Sequence, residues 1–301
     1  MDRPRTGHGP APDRPRQNRL NRAVPVAYRA VMTSLTSLPY DRLCTEIVAQ
    51  TDQLRAAVRD AALTTPVPSC PGWHLGELLG HLGGAQRWTE TVVRTRATGP
   101  VSDDQVNDVS GADTDPAAVD AWLADGAARL AAALREAGPD APVWTVAPGG
   151  TPAFWARRMT YEAVVHRWDA TAALGAEYVL APEVAVEGLD EWMEMSALPQ
   201  AYASEPLRRE LAGPGRTLHF HPTDTGAAPL EGAEWLVDLT GDTFVWRHAH
   251  EEAAATVRGP LTSLLLLMYD RPSPRGADIE VLGDAALFET WRERCSDWLR
   301  R

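Results

Sequence analysis

The chain contains no lysine. All 29 basic residues are arginine, isoleucine occurs only at Ile47 and Ile279, and there are three asparagines. Residues with AT-rich codons are scarce, while Ala, Gly, Pro and Arg abound, as in a GC-rich genome such as an actinobacterium's. Cysteine is also sparse. Cys44, Cys70 and Cys295 are odd in number and far apart, which excludes a disulfide framework and suits a reducing cytoplasm. Long apolar runs are missing. The longest, "LLLLMY" at 264–269, is far short of the roughly 18 residues that read as a membrane span. No apolar segment follows the N-terminal arginines, so they do not read as a secretory signal. Positive charge is in deficit, with a formal net charge of −12 and a pI near 5.1. A general nucleic-acid or membrane-surface binder is excluded on that ground. The deficit is uneven. Residues 1–31 hold seven arginines against Asp2 and Asp13, a local +5, which leaves −17 for the remainder.

What is present suits two domains: 301 residues, 44% of them hydrophobic, enough for two cores. Residues 1–36 are rich in Pro, Arg and Ser/Thr and lack periodicity. They read as a disordered extension, or as a start assigned too far upstream with Met32 as the alternative. Residues 37–205 read as helical. Leu43, Ile47, Leu54 and Val58 form one stripe. "PVPSCPGW" (66–73) breaks the chain before a second helix over 74–96. Asp115-Pro116 opens a third helix, and a fourth runs from about Pro152 to Leu174, with Gly175 closing it. Four helices of similar length with unequal connections predict a four-helix bundle with a site in its core. A further helix is expected over 182–203. Residues 206–301 form the second domain, α+β. The spacing predicts strands in 216–224, 234–249, 253–259 and 278–284, a turn at Thr240-Gly241-Asp242, and helices over 260–271 and 285–300.

"YEAVVHRWDA" (161–170) places Glu162 and His166 four residues apart, on one face of a helix. A carboxylate and an imidazole at that spacing can grip one metal ion if a third ligand comes from elsewhere. His81, among leucines in "LLGHLGG", is the candidate. Three ligands with a fourth position open is the pattern of a catalytic zinc site, although Ni, Co, Mn or Fe would tolerate the same atoms. A lone Glu-x-x-x-His also occurs on solvated helix faces, and a histidine among leucines is commonly a hydrogen-bonded core residue.

"VPSCPGWHLGELLGHLGGAQRW" (67–88) followed by "YEAVVHRWDA" resembles the mycothiol-dependent maleylpyruvate isomerase family, within the DinB-like metal-binding bundle superfamily. Pro71, Gly72 and Trp73 match its Pro-Gly-Trp connector. His81, Glu162 and His166 match its metal-binding residues. "VRGPLTSLLLLMYDR" (257–271) and "VLGDAALFETW" (281–291) resemble its second domain, a small sterol-carrier-protein-like α+β fold. The resemblance covers about residues 40–300. It implies a divalent metal, zinc first, and mycothiol as thiol cosubstrate, in agreement with a GC-rich host. It also implies a small electrophilic substrate. The thiol would add to the cis double bond of maleylpyruvate, the bond would rotate, and elimination would give fumarylpyruvate. A mycothiol S-transferase in detoxification or natural-product assembly shares the chemistry up to thiolate formation. A non-catalytic small-molecule carrier is the reading from another class. Monomer and homodimer both stay open. The resemblance further implies an arginine reaching the site from the second domain. Arg271 is its match and Arg258 the runner-up, against a surface role for either.

Other residues are expected to be structural. His74 caps a helix. Cys70, with no basic group near it but His74, is a passive thiol. Arg167 points away from the site and pairs with Asp169 or another carboxylate. Trp73, Trp88 and Trp168 pack in the core. His219, His221, His248 and His250 lie at i, i+2 spacing, where a second metal site is conceivable but surface or packing roles are favoured.

Overall fold

The structure, a computed structural model, describes residues 38–108, 115–147, 150–198, 210–224, 233–241, 244–273 and 278–299. The N-terminal extension and Asp242 of the expected turn lie outside the described residues. Among the described residues five α-helices come first: α1 (Tyr40–Val58), α2 (Leu75–Arg94), α3 (Pro116–Ala137), α4 (Pro152–Ala173) and α5 (Pro182–Ser196). α1 buries the stripe of Leu43, Ile47, Leu54 and Val58 and packs against α3 and α4, while α2 packs against α3 and α4. Asp115 caps α3, accepting from Ala117 N–H at 3.3 Å, with proline next in line.

The connector between α1 and α2 is tightly folded. Val67 N–H donates to Trp73 O at 2.9 Å, and Leu75 N–H donates to Thr65 O at 2.9 Å. Gly72 sits at φ +86°, a conformation glycine adopts without a steric penalty. The loop thereby holds Ser69, Cys70 and Trp73 against α4.

α4 is the central element. Fifteen of its 22 residues are buried, so His166, Arg167 and Asp169 cannot turn to bulk water and must find partners inside the protein. Its Tyr161 and Val164 join a second core with Val184, Leu189 and Trp192 of α5. That core also contains the inner face of a five-stranded sheet. The strands are β1 (Thr217–Pro222), β2 (Trp235–Asp238), β3 (Val245–His248), β4 (Ala255–Gly259) and β5 (Glu280–Gly283), in the order β3-β2-β1-β4-β5. β1 and β4 are parallel and the other pairs antiparallel. Helices α6 (Leu261–Met268) and α7 (Ala285–Leu299) complete this region, with Phe288 and Trp291 of α7 against Phe220 of β1. The layout is a helical N-terminal region followed by a small α+β domain, and α4 contributes to the cores of both. Among the described residues no helix is long and apolar enough to cross a membrane.

Close approach of α2 and α3 depends on Gly83, where a Cβ would lie 2.0 Å from Trp122 Cζ3. Gly83→Ala forces the indole aside and is expected to cost about 1–3 kcal/mol. The check is a lower urea midpoint with an unchanged slope; an unchanged midpoint would show that the contact is slack.

Candidate functional site

α2 presents His81, and α4 presents Glu162 and His166 from successive turns. His166 Nε2 lies 3.3 Å and His81 Nε2 4.0 Å from Glu162 Oε2. The two imidazoles are 5.0 Å apart, edge to face. One donor atom from each of the three lies within 4.8 Å of the others. His166 is buried, whereas the His81 side chain is 43% exposed, so the trio opens to solvent on the α2 side. Trp73, delivered by the connector, packs against the His81 ring at 5.0 Å.

Glu162 and His166 are each held from behind. Glu162 Oε1 is 3.3 Å from Arg158 Nε. Arg158 is itself gripped by both oxygens of Glu191, at 2.7 and 2.9 Å, and by the Tyr269 hydroxyl at 3.2 Å. Burial works against a charge on Glu162. The His166 hydrogen bond and the Arg158 charge outweigh it and bring its carboxyl down to about 2. His166 Nδ1 donates to Asp169 Oδ2 at 2.9 Å; a carboxylate only accepts, so the proton sits on Nδ1. Burial opposes a charge on His166, yet Asp169, Cys70 and Glu162 together raise its pKa well above the imidazole range. His81 moves the other way, lowered chiefly by desolvation and then by the neighbouring His166.

Asp169 is fully buried and accepts five bonds from four residues. Besides His166 it takes Ser69 Oγ at 2.6 Å, Cys70 Sγ at 3.4 Å, and a two-pronged contact from Arg271, Nε at 3.0 Å and Nη2 at 2.9 Å. Desolvation would raise its pKa, but His166 and Arg271 hold it well below the usual carboxylate range. Arg271, just beyond α6, is thus brought from the C-terminal domain to within one residue of the trio. Arg258 is not; it pairs with Glu280 at 3.5 Å on the exposed side of β4 and β5. A cleft of about 1150 Å³ opens beside the site, walled by Ser69, Trp168, Tyr178, Leu261 and Arg271 among others. His81, Glu162 and His166 do not line it. Ser69 and Arg271 border the cleft and also bind Asp169.

Two expectations are corrected. Arg167 does not pair with Asp169; its guanidinium lies 4.2 Å over the Tyr178 ring and donates to Gln53 and to Val179 O. Asp169 turns to the opposite side of α4, where Arg271 takes it. The surroundings assigned to Cys70 also differ, because Arg271 Nη2 lies 3.6 Å from its sulfur and an imidazole nitrogen of His166 lies within 4.8 Å of it. Cys70, His166 and Asp169 form a second grouping of potential ligand atoms, but there Asp169 is already committed to Arg271. His74 is the N-cap residue of α2, its backbone N–H held by Glu77 at 2.6 Å. Trp88 packs with Trp144 and Trp155, away from the trio. Sequence reasoning missed Asp169 as the organising carboxylate and Arg158 as the support of Glu162. The i, i+3 spacing of His166 and Asp169 was the available signal.

A helical region carrying two imidazoles and a carboxylate in convergence, with an arginine supplied by a second α+β domain, defines a two-domain protein with an interdomain site. Comparison with known families narrows this class. The "Mycothiol maleylpyruvate isomerase N-terminal domain" matches residues 44–171, and the "MDMPI C-terminal domain" matches residues 183–290. The chain belongs to the mycothiol maleylpyruvate isomerase family. Among solved structures it is similar to a mycothiol-dependent maleylpyruvate isomerase, at 16% identity with a TM-score of 0.54. It is also similar to a histidine-to-alanine mutant of such an isomerase, at 17% identity and 0.53. Each similarity covers 83% of this chain and 96% of the other. No curated protein matches the chain.

The buried pairs set an acid-side signature. Asp169 is depressed, so its contribution to stability is complete above the unfolded value of about 3.9 and is lost as pH falls below it. His166 is raised, so its contribution is complete below about 6.5 and fades as pH climbs through its folded value. Asp169→Asn leaves Arg271 without its countercharge and is expected to cost roughly 3–5 kcal/mol near neutrality. The gap to wild type should narrow below about pH 4. Denaturant midpoints across the acid range check this; a gap that persists at low pH would show that the Asp169 charge is not its source.

Proposed function

We propose that this protein is a mycothiol-dependent isomerase that holds one divalent metal ion, zinc first, on His81, Glu162 and His166. The observation that carries the reading is the convergence of these donors within the stretch that matches the isomerase N-terminal domain. Two imidazoles and a carboxylate are the donor chemistry of an open, catalytic type of site. A cation bound there would supply the charge that favours a thiolate over a thiol. We read the helical region as a DinB-like four-helix bundle, supported by the mutual packing of α1 to α4. We read the second domain as sterol-carrier-protein-like.

The chain's own residues have separable tasks. Asp169 fixes the His166 ring so that Nε2 faces Glu162, the outer support that orients a ligating imidazole. Arg158 does the same for Glu162. Arg271, with part of its guanidinium held by Asp169, brings positive charge to the cleft wall, where a substrate carboxylate would dock. Addition of a thiol to a cis double bond leaves a single bond that rotates, and elimination of the same thiol gives the trans product. A mycothiol S-transferase is the second reading. The cleft volume lies at or above the upper end of ordinary ligand sites, about 300–1,000 Å³, and has room for a bulkier electrophile beside the thiol.

The test combines metal analysis and turnover on the full chain. Wild type should purify with about one equivalent at this site, and His166→Ala should lose it, with activity falling roughly 10–100-fold or more. Isomerisation of excess maleylpyruvate by catalytic mycothiol supports the isomerase. One-for-one consumption of mycothiol supports the transferase instead. Unchanged metal content in folded His166→Ala would remove the metal assignment. For Arg271, Arg271→Ala should raise KM for a carboxylate substrate roughly tenfold or more, the value of one charged hydrogen bond. An unchanged KM would leave Arg271 as a strut for Asp169 alone.

A further inference from the structure

A second convergence of donor atoms lies in the C-terminal domain. His219 and His221 project from one face of β1, Glu234 immediately precedes β2, and His250 follows β3. His219 Nε2, His221 Nδ1 and His250 Nδ1 lie 2.7, 2.9 and 2.8 Å from one and the same atom, Glu234 Oε2. All four donor atoms lie within 4.8 Å of one another. A single carboxylate oxygen offers about two lone-pair directions, so three imidazoles on it are one more than it accommodates well. The arrangement is resolved if a cation takes the centre, because each nitrogen then presents a lone pair and the oxygen becomes one ligand among four.

We propose that His219, His221, Glu234 and His250 bind a transition-metal dication, Zn²⁺ foremost, as a closed four-ligand site separate from the one assigned to His81, Glu162 and His166. Three nitrogens and one oxygen are zinc's ordinary donors, and four protein ligands with no open position mark a structural site. The donors need only side-chain adjustment to reach the ligand separation of about 3.3 Å that Zn–N and Zn–O bonds near 2.0–2.1 Å impose on a tetrahedron. The setting is graded: His219 is buried, His221 and Glu234 are partly so, and the His250 ring is 75% exposed. An ion therefore has an entry path over His250. His248, which shares the i, i+2 spacing with His250, is not a ligand. Its Nδ1 contacts the Glu234 carbonyl at 3.1 Å and its Nε2 lies 3.0 Å from Asp190, so it holds the Glu234 backbone in place from behind. Bound metal would tie the segment after β3 to β1 across the intervening β2.

The experiment titrates the chelator-stripped full chain with Zn²⁺, and with Co²⁺ for its visible absorption. Wild type should take up two equivalents. His81→Ala/His166→Ala should keep one, with a tetrahedral Co²⁺ spectrum. His221→Ala/His250→Ala should lose one while leaving the first site loaded. His250→Ala alone removes an exposed ring at little risk to folding and should weaken the second equivalent about tenfold or more. The proposal is overturned if folded His81→Ala/His166→Ala takes up no metal, or if His221→Ala/His250→Ala and His250→Ala both match wild type. Failure of the first site alone gives a different pattern: His81→Ala/His166→Ala then matches wild type while His221→Ala/His250→Ala still loses its ion.

Discussion

The buried carboxylate of Asp169 ties three separate parts of the chain together. Ser69 and Cys70 come from the connector ahead of α2, His166 from its own helix, and Arg271 from the C-terminal domain. An ionised carboxylate with no solvent access is costly unless charge and hydrogen bonds compensate it. Here one cation, one imidazole and one hydroxyl do so at 3.0 Å or less. The same compensation makes the site interdomain. Moving the C-terminal domain away would strand Asp169, so the position of Arg271 and the orientation of His166 are set by one interaction.

A second buried network runs parallel to it. Arg157 pairs with Glu187 and Glu194, and Arg158 with Glu191 and Glu162. The pairs to Glu187, Glu191 and Glu194 join α4 to α5, and α5 packs into the core of the sheet. Burial pushes Glu187 up to about 7, with Arg157 only partly restoring its charge. An absence of lysine fits this network. Guanidinium stays protonated when buried and grips a carboxylate with two donors, whereas a buried lysine readily gives up its proton.

Much of this was legible in the sequence. The α1 stripe, the Asp115-Pro116 helix start and the short C-terminal strand segments are local signals, and the elements appear where those signals fall. The convergence of His81, Glu162 and His166 was legible because one helical turn separates two of them and the histidine among leucines offered the third, which the resemblance then matched. Partners separated by about a hundred residues were not. Nothing near Asp169 in the chain shows that Arg271 will meet it rather than Arg167, and nothing near Cys70 shows that it will face His166. The histidines at 219, 221, 248 and 250 were visible as pairs. Which three converge depends on β3 ending at His248, so that His250 leaves the strand's alternation and turns back to Glu234. Residue spacing carries no record of that turn.

The two imidazoles of the first trio show how its charges are arranged. His81 is disfavoured as a cation by burial and by His166, while His166 is held charged between Glu162 and Asp169. A proton on His166 Nε2 thus balances the Glu162 carboxylate, whose Oε2 is 3.3 Å away, and the trio is neutral overall. That proton occupies the place where a metal ion would bring two charges to the same donors. Exchange of one for the other keeps Asp169 and Nδ1 as they are and changes only the inward face of the ring. The second-domain arginine stays on the far side of Asp169, which accepts from Arg271 and from His166 at once. One buried carboxylate stands between the imidazole and the arginine and fixes the distance between them.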